Sequence, residues 1–134
     1  MKALVSSTIT LVVASSFLVS PAFTRILTNT IDPQAVVGAN GRHLVVTGPI
    51  RGDTPGERIY LRVTITQRST GAVAEGVLVF ILTGTPQHWQ VDATTQGKET
   101  FEAGPATAVA IARTATGGNS TDAHQWLVNI TLSE

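Results

Sequence analysis

Eight consecutive residues, Ile59-Tyr60-Leu61-Arg62-Val63-Thr64-Ile65-Thr66, alternate between apolar and more polar side chains. Successive side chains of an extended chain point to opposite faces. Ile59, Leu61, Val63 and Ile65 therefore form one apolar face that a strand can press against a core. Helical winding would scatter the same four around the axis. The alternation returns in residues 88–95, with Trp89, Val91 and Ala93 on one side. It returns again where Thr107, Val109 and Ile111 interleave with alanines up to Ala115, and where Trp126, Val128, Ile130 and Leu132 complete a last strand. Turn chemistry separates these runs. Asn40-Gly41 lies between Ala35-Val36-Val37 and Leu44-Val45-Val46, the signal for a type I′ hairpin. Ser69-Thr70-Gly71, Thr85-Pro86, Gln96-Gly97-Lys98, Gly104-Pro105 and Gly117-Gly118-Asn119 mark further turns and breaks.

This spacing predicts an all-β fold of about six or seven short strands, an antiparallel β-sandwich following an N-terminal signal helix. Its expected core is Ile59, Leu61, Val63, Ile65, Trp89, Val91, Val109, Ile111, Trp126, Val128 and Ile130. Gln87-His88-Trp89-Gln90-Val91 echoes His124-Gln125-Trp126-Leu127-Val128, which reads as two similar strands and not as a repeat unit.

The chain opens differently. Lys2 supplies a small positive charge, residues 3–19 are apolar with interspersed serines and threonines, and Ser20-Pro21-Ala22 places small residues before a cut after Ala22. That is the pattern of a secretory signal peptide. Retention as a membrane anchor is the alternative, because a seventeen-residue run (3–19) sits at the lower edge of what spans a bilayer. The expected organisation is a signal segment at 1–22, an N-terminal extension or first strand at 23–34, and the β domain at 35–134. The expected location is secreted, periplasmic or at the cell envelope, with membrane contact only transient.

Composition narrows the function classes. Formal net charge is zero, and without Lys2 eight basic residues face nine acidic ones. A nucleic-acid partner is not expected, because such binders cluster Lys and Arg to displace counterions. The absence of cysteine removes disulfides, thiol chemistry and lipid attachment through a lipobox.

Several phrases together resemble small exported bacterial proteins of immunoglobulin-like β-sandwich type without assigned activity. They are Val63-Thr64-Ile65-Thr66-Gln67-Arg68-Ser69-Thr70-Gly71-Ala72-Val73-Ala74-Glu75-Gly76, Gln87-His88-Trp89, Gly104-Pro105-Ala106-Thr107-Ala108 and Thr121-Asp122-Ala123-His124-Gln125-Trp126. Members of that group often carry a cysteine pair. One of the two follows the segment equivalent to Gly48-Pro49-Ile50, and the other lies near Leu82-Thr83-Gly84. Here Arg51 and Ile81 or Leu82 stand in that neighbourhood. The resemblance implies export and a sandwich in which packing replaces the cross-link. It implies no chemistry and no cofactor.

Candidate sites read from the residues are sparse. His43, His88 and His124 are the nitrogen ligands available to a metal, and none is read as paired at i, i+2 or i, i+4 with another histidine or with a nearby carboxylate, so surface or structural roles are expected. Ser120, Asp122 and His124 could make a hydrolytic trio, but no Gly-x-Ser-x-Gly turn supports it. Asp92 with Glu99 or Glu102 could form a glycosidase pair, although they lie in or beside a turn where acids serve solubility. Arg51-Gly52-Asp53 is the tripeptide that integrins read, and turn chemistry accounts for Gly52-Asp53 equally well. Asn119-Ser120-Thr121 and Asn129-Ile130-Thr131 are glycosylation sequons, the second inside an expected strand.

The more informative feature is an apolar surplus. Residues 77–82, Val-Leu-Val-Phe-Ile-Leu, are apolar on both faces, whereas a sandwich strand needs one. Either residues 24–31 or a loop cover the second face, or it binds a partner or another copy. The expected interaction surface is Leu78, Phe80 and Leu82, with Arg51 and Asp53. The expected function is a non-enzymatic exported binding or structural module, contacting a protein, a wall polymer or itself. Its alternatives are a filament or matrix subunit joined through the edge strand at 24–31, and a small hydrolase.

Overall fold

The computed structural model describes residues 26–134. The expected signal helix and cleavage site therefore lie outside the described residues. Eight strands follow: β1 Ile26–Asn29, β2 Gln34–Gly38, β3 His43–Gly52, β4 Arg58–Gln67, β5 Ala72–Ile81, β6 Gln87–Thr95, β7 Gly104–Thr116 and β8 Asn119–Ser133. Among the described residues no helix is long and apolar enough to cross a membrane.

The all-β expectation holds, but the sandwich does not, and nothing supports an immunoglobulin-like arrangement. The strands close into a seven-stranded barrel in the order β2-β8-β7-β4-β5-β6-β3, with β3 returning to β2. Two non-local pairings close it. β3 runs antiparallel to β6 from His43↔Thr94 to Ile50↔Gln87, and β2 joins the end of β8 in parallel from Gln34↔Thr131. The other edge of β3 takes β2 near its start and β1 near its end, at Val36↔Val45 and Asn29↔Ile50. At the end where these pairings lie, the edges that would separate two sheets are thereby consumed.

Local chemistry makes these turns possible. In the β2–β3 hairpin Asn40 and Gly41 both take positive φ, 61° and 80°, as the Asn-Gly signal demands. Where β6 leaves β5 for β3, Gly76 is required by contact. A Cβ there would meet Val91 Cγ1 at 2.5 Å and the Asp92 carbonyl oxygen at 2.6 Å. The β5–β6 ladder stops beside it, at Ala74↔Thr95 and Glu75↔Thr94.

Cross-strand partners share a face, and this sets the interior. β4 sends Ile59, Leu61, Val63 and Ile65 inward, all fully buried. Leu61, Val63 and Ile65 stand opposite Ala112, Ala110 and Ala108 of β7, while Val63 and Ile65 stand opposite Gly76 and Ala74 of β5. A small barrel has room for large side chains from one strand only where its neighbours supply small ones. This corrects the expected core at β7. Its alanines line the interior, whereas Ile111 is exposed and Val109 half-buried on the outside. Trp126 and Val128 face inward but are only partly buried against the core.

The buried side chains of Gln67 and Trp89 are tied down by hydrogen bonds. The Gln67 side chain is buried, donates from Nε2 to the carbonyls of Glu102 (2.9 Å) and Pro105 (3.3 Å), and accepts from the Glu102 N–H (2.9 Å) and Thr70 hydroxyl (3.1 Å). It fastens the β4–β5 turn to the loop that enters β7. Trp89 donates its indole N–H to Asn29 Oδ1 at 3.1 Å, fixing β1 to β6 across the barrel wall.

Candidate functional site

Closure is confined to one end of the barrel. At the other end the four strands β8-β7-β4-β5 continue as a sheet. Among the described residues, no strand pairs with the outer edge of β5 beyond Glu75. The outward face of this sheet is the most distinctive surface of the molecule. β5 displays Val77, Val79 and Ile81 there, exposed to 67%, 50% and 47%, and β8 adds Leu127 at 65%. Ile111 of β7 lies between them, opposite Arg62 of β4.

Three arginines and a tyrosine stand among these aliphatic groups. Arg62 Nε lies 3.4 Å from Glu75 Oε2, with the arginine largely and the glutamate partly in solvent, so the pair adds little to stability. The Arg113 guanidinium carbon sits 5.1 Å from the centre of the Tyr60 ring, within cation–π range. Arg58 flanks Ile81 at the sheet's end. With Glu75 the acid on this face of β4 and β5, the patch is positive in a chain of zero net charge. An open hollow of about 380 Å³ runs between Tyr60, Arg62, Val77, Val79, Ile111 and Arg113.

The five residues expected to form an interaction surface divide between the two faces. Arg51 is exposed near the end of β3, opposite Thr28 of β1, and Asp53 is exposed just beyond that strand. Leu78 and Phe80 point inward and pack against the core, and Leu82 is buried, which removes it from any surface. Their register explains this: Leu78 stands opposite Leu61 and Phe80 opposite Ile59, both interior residues. The exposed apolar residues of β5 are the odd-numbered ones. Residues 24–31 do not cover them in the part described, because β1 pairs with β3, and Ile26 and Ile31 are buried in the core.

The hydrolytic trio does not converge. β8 carries a bulge at Thr121, where Thr114↔Asp122 is followed by Ala115↔Ser120. Ser120 is thereby set on the outer face while Asp122 and His124 are inside. Asp122 Oδ2 lies 3.0 Å from His124 Nε2 and accepts the Ile26 N–H at 3.0 Å, so this pair joins β1 to β8. Their i, i+2 spacing on a strand is the signal in the sequence that they share a face. Next to them Glu57, buried, accepts from the hydroxyls of Thr116 (2.8 Å) and Thr121 (2.7 Å). His88 Nε2 lies 3.1 Å from Asp32 Oδ2, which also accepts the Thr47 hydroxyl at 2.6 Å, and His43 is exposed. Among the described residues no three His, Asp or Glu side chains group as a metal site. Asp92 is exposed on β6, and Glu99 and Glu102 are exposed in the following loop, where Glu102 accepts the Ser69 hydroxyl at 3.4 Å.

No family model matches the chain, and no curated protein matches it. Among solved structures it is similar to the alkylpurine DNA glycosylase AlkC of Pseudomonas fluorescens, bound to DNA containing an abasic site analog. The TM-score is 0.39 and the identity 14%, over 84% of this chain and 31% of that one. The chain thus spans less than a third of that protein's length. A likeness of this degree decides neither fold nor activity.

Proposed function

We propose that the chain is a non-enzymatic binding or structural module of the cell envelope or extracellular space, working through the outer face of β8-β7-β4-β5. One observation carries the reading: Val77, Val79, Ile81, Ile111 and Leu127 are exposed together on one sheet face around Tyr60 and three arginines. Single exposed aliphatic residues are ordinary, whereas five on one sheet face of a small domain mark a contact surface. Arginine and tyrosine are the residues enriched where protein interfaces concentrate their energy, and lysine, which is depleted there, does not occur on this face. The mixture fits another protein surface better than a wall polymer, whose hydroxyl-rich chains would call for polar partners. Export rests on the signal pattern of residues 1–22.

The test is partition. The natural protein and an Ile111→Asp/Leu127→Asp variant are each expressed in the source cell and fractionated into envelope and soluble material. Both substituted positions are exposed, so the variant keeps its thermal melt. The wild type stays with its partner in the envelope or as a soluble complex, and the variant is released as free protein. Identical partition and identical size of the two proteins would overturn the reading.

A further inference from the structure

The geometry points to a second copy of this chain as the occupant of the free edge of β5, paired antiparallel about Val79 in a closed two-fold dimer. The inference deepens the reading above and rests on it, since it assigns a partner to one border of the same face. It begins with backbone direction. In a strand the N–H and C=O of one residue point to the same edge, and neighbouring residues alternate. The β4–β5 register is unbroken from Arg58↔Ile81 to Gln67↔Ala72. At either end of β5 the odd-numbered residues turn away from β4. The Val73 carbonyl accepts the Gln96 N–H at 2.8 Å, and the Ile81 carbonyl accepts the Gln87 side chain at 3.2 Å. Leu82, even-numbered, bonds back across its inner edge by donating its N–H to the Glu57 carbonyl at 2.8 Å. The N–H and C=O of Val77 and Val79, with the Ile81 N–H, therefore point out of the barrel along an edge that no described strand occupies.

Such an edge is a template for another strand, and proteins that keep it single protect it with lysine, proline, a bulge or a short length. Residues 77–81 are Val-Leu-Val-Phe-Ile, with no charge, no proline and no bulge. The segment is also complementary to itself. A two-fold axis at Val79 sets Val79 against its own copy, Val77 against Ile81 of the copy, and Leu78 against Phe80. About six backbone hydrogen bonds then form, all between residues whose edge groups are free or have a spare lone pair. Side-chain rows continue across the seam. Tyr60 lies beside Val79, Arg62 beside Val77 and Arg58 beside Ile81. Each row across the dimer therefore has apolar residues at the seam and aromatic or basic residues outside it, with no arginine opposite another at the joint. The contact is the same patch on both partners, so it closes at two copies. It is short beside a permanent interface, so the dimer is reversible and depends on concentration.

The experiment is sedimentation velocity over a wide concentration series on the naturally processed protein, its N-terminus read by mass spectrometry. The wild type is expected to pass from monomer to dimer and to stop there. Two variants break the seam without touching the β4 ladder: Val79→Lys places charge at the axis, and Val79→Pro removes an N–H that points outward. Each should weaken dimerisation by more than about tenfold while keeping its circular dichroism. Val79→Lys serves if the proline variant folds poorly. Leu127→Asp, on the same face but away from the edge, should dimerise as the wild type does. That result separates failure of the dimer from failure of the face as a binding surface. A wild type that is monomeric throughout, a growing ladder of sizes, or a dimer indifferent to both Val79 variants would overturn the inference.

Discussion

Removing the Gln67 side chain tests how the closed end of the barrel is held. Gln67→Ala deletes four hydrogen bonds, made to Glu102 N–H, the Glu102 and Pro105 carbonyls and the Thr70 hydroxyl. Each is worth about 0.5–1.5 kcal/mol net, and the backbone groups of the 102–105 loop lose their partners inside a partly closed site. A total near 3 kcal/mol follows, with the 3.3 Å bond to Pro105 contributing least. Unfolding entropy of about 2.1 cal/mol/K per residue gives a domain of about 110 residues roughly 0.23 kcal/mol/K, so the melting temperature should fall by about 13 °C. Gln67→Glu keeps the shape but turns a double donor into an acceptor facing two carbonyls, and it should melt no higher than the alanine variant. Differential scanning calorimetry reads both. A Gln67→Ala melt within a couple of degrees of wild type would refute the claim that this side chain fastens the β4–β5 turn to β7.

Other outcomes follow from the same structure. Ala110→Leu forces volume into the filled interior opposite Val63 and should cost about 1–3 kcal/mol, while Ile111→Ala, one residue along and outside, should cost well under that in a urea titration. The reverse order would show the β7 register to be inverted. Trp89→Ala should cost about 4 kcal/mol, since the ring is buried and its N–H is bonded to Asn29, whereas half-buried Trp126→Ala should cost about 2 kcal/mol. Equal losses in thermal melts would contradict the difference in burial. Gly76→Val should disrupt the place where β6 crosses β5, lowering expression of soluble protein or the melting temperature far more than Gly38→Ala, where a Cβ meets nothing and φ is not positive.

Much of the strand content was legible because alternation and turn residues are local signals. β4 could be read directly, since its apolar residues occupy one parity and, apart from the buried Gln67, its more polar and charged residues the other. The β2–β3 hairpin was written in Asn40-Gly41. Closure was not legible, because alternation fixes a strand's faces but not its neighbours. Nothing local to β2 says that it will lie parallel to the end of β8, or to β6 that it will leave β5 for β3. β7 misled for a different reason. Both of its faces are apolar, and the assumption that larger side chains go inside failed because Leu61, Val63 and Ile65 already fill the space that the alanines face. On β5 the same ambiguity selected Leu78, Phe80 and Leu82 for the surface. Pairing Ile65 with Ala74 through the short β4–β5 turn settles the parity and leaves Val77, Val79 and Ile81 outside.

The most direct test of the proposed contact face is hydroxyl-radical footprinting of the protein in its native envelope or secreted setting, compared with dilute purified protein. Tyr60, Ile111, Leu127 and the odd-numbered residues of β5 should label freely in dilute solution and be protected in the native setting. Arg51 and Pro49, exposed on β3, should label alike in both. Equal labelling of the β8-β7-β4-β5 face in the two settings would contradict the claim that this face meets a partner.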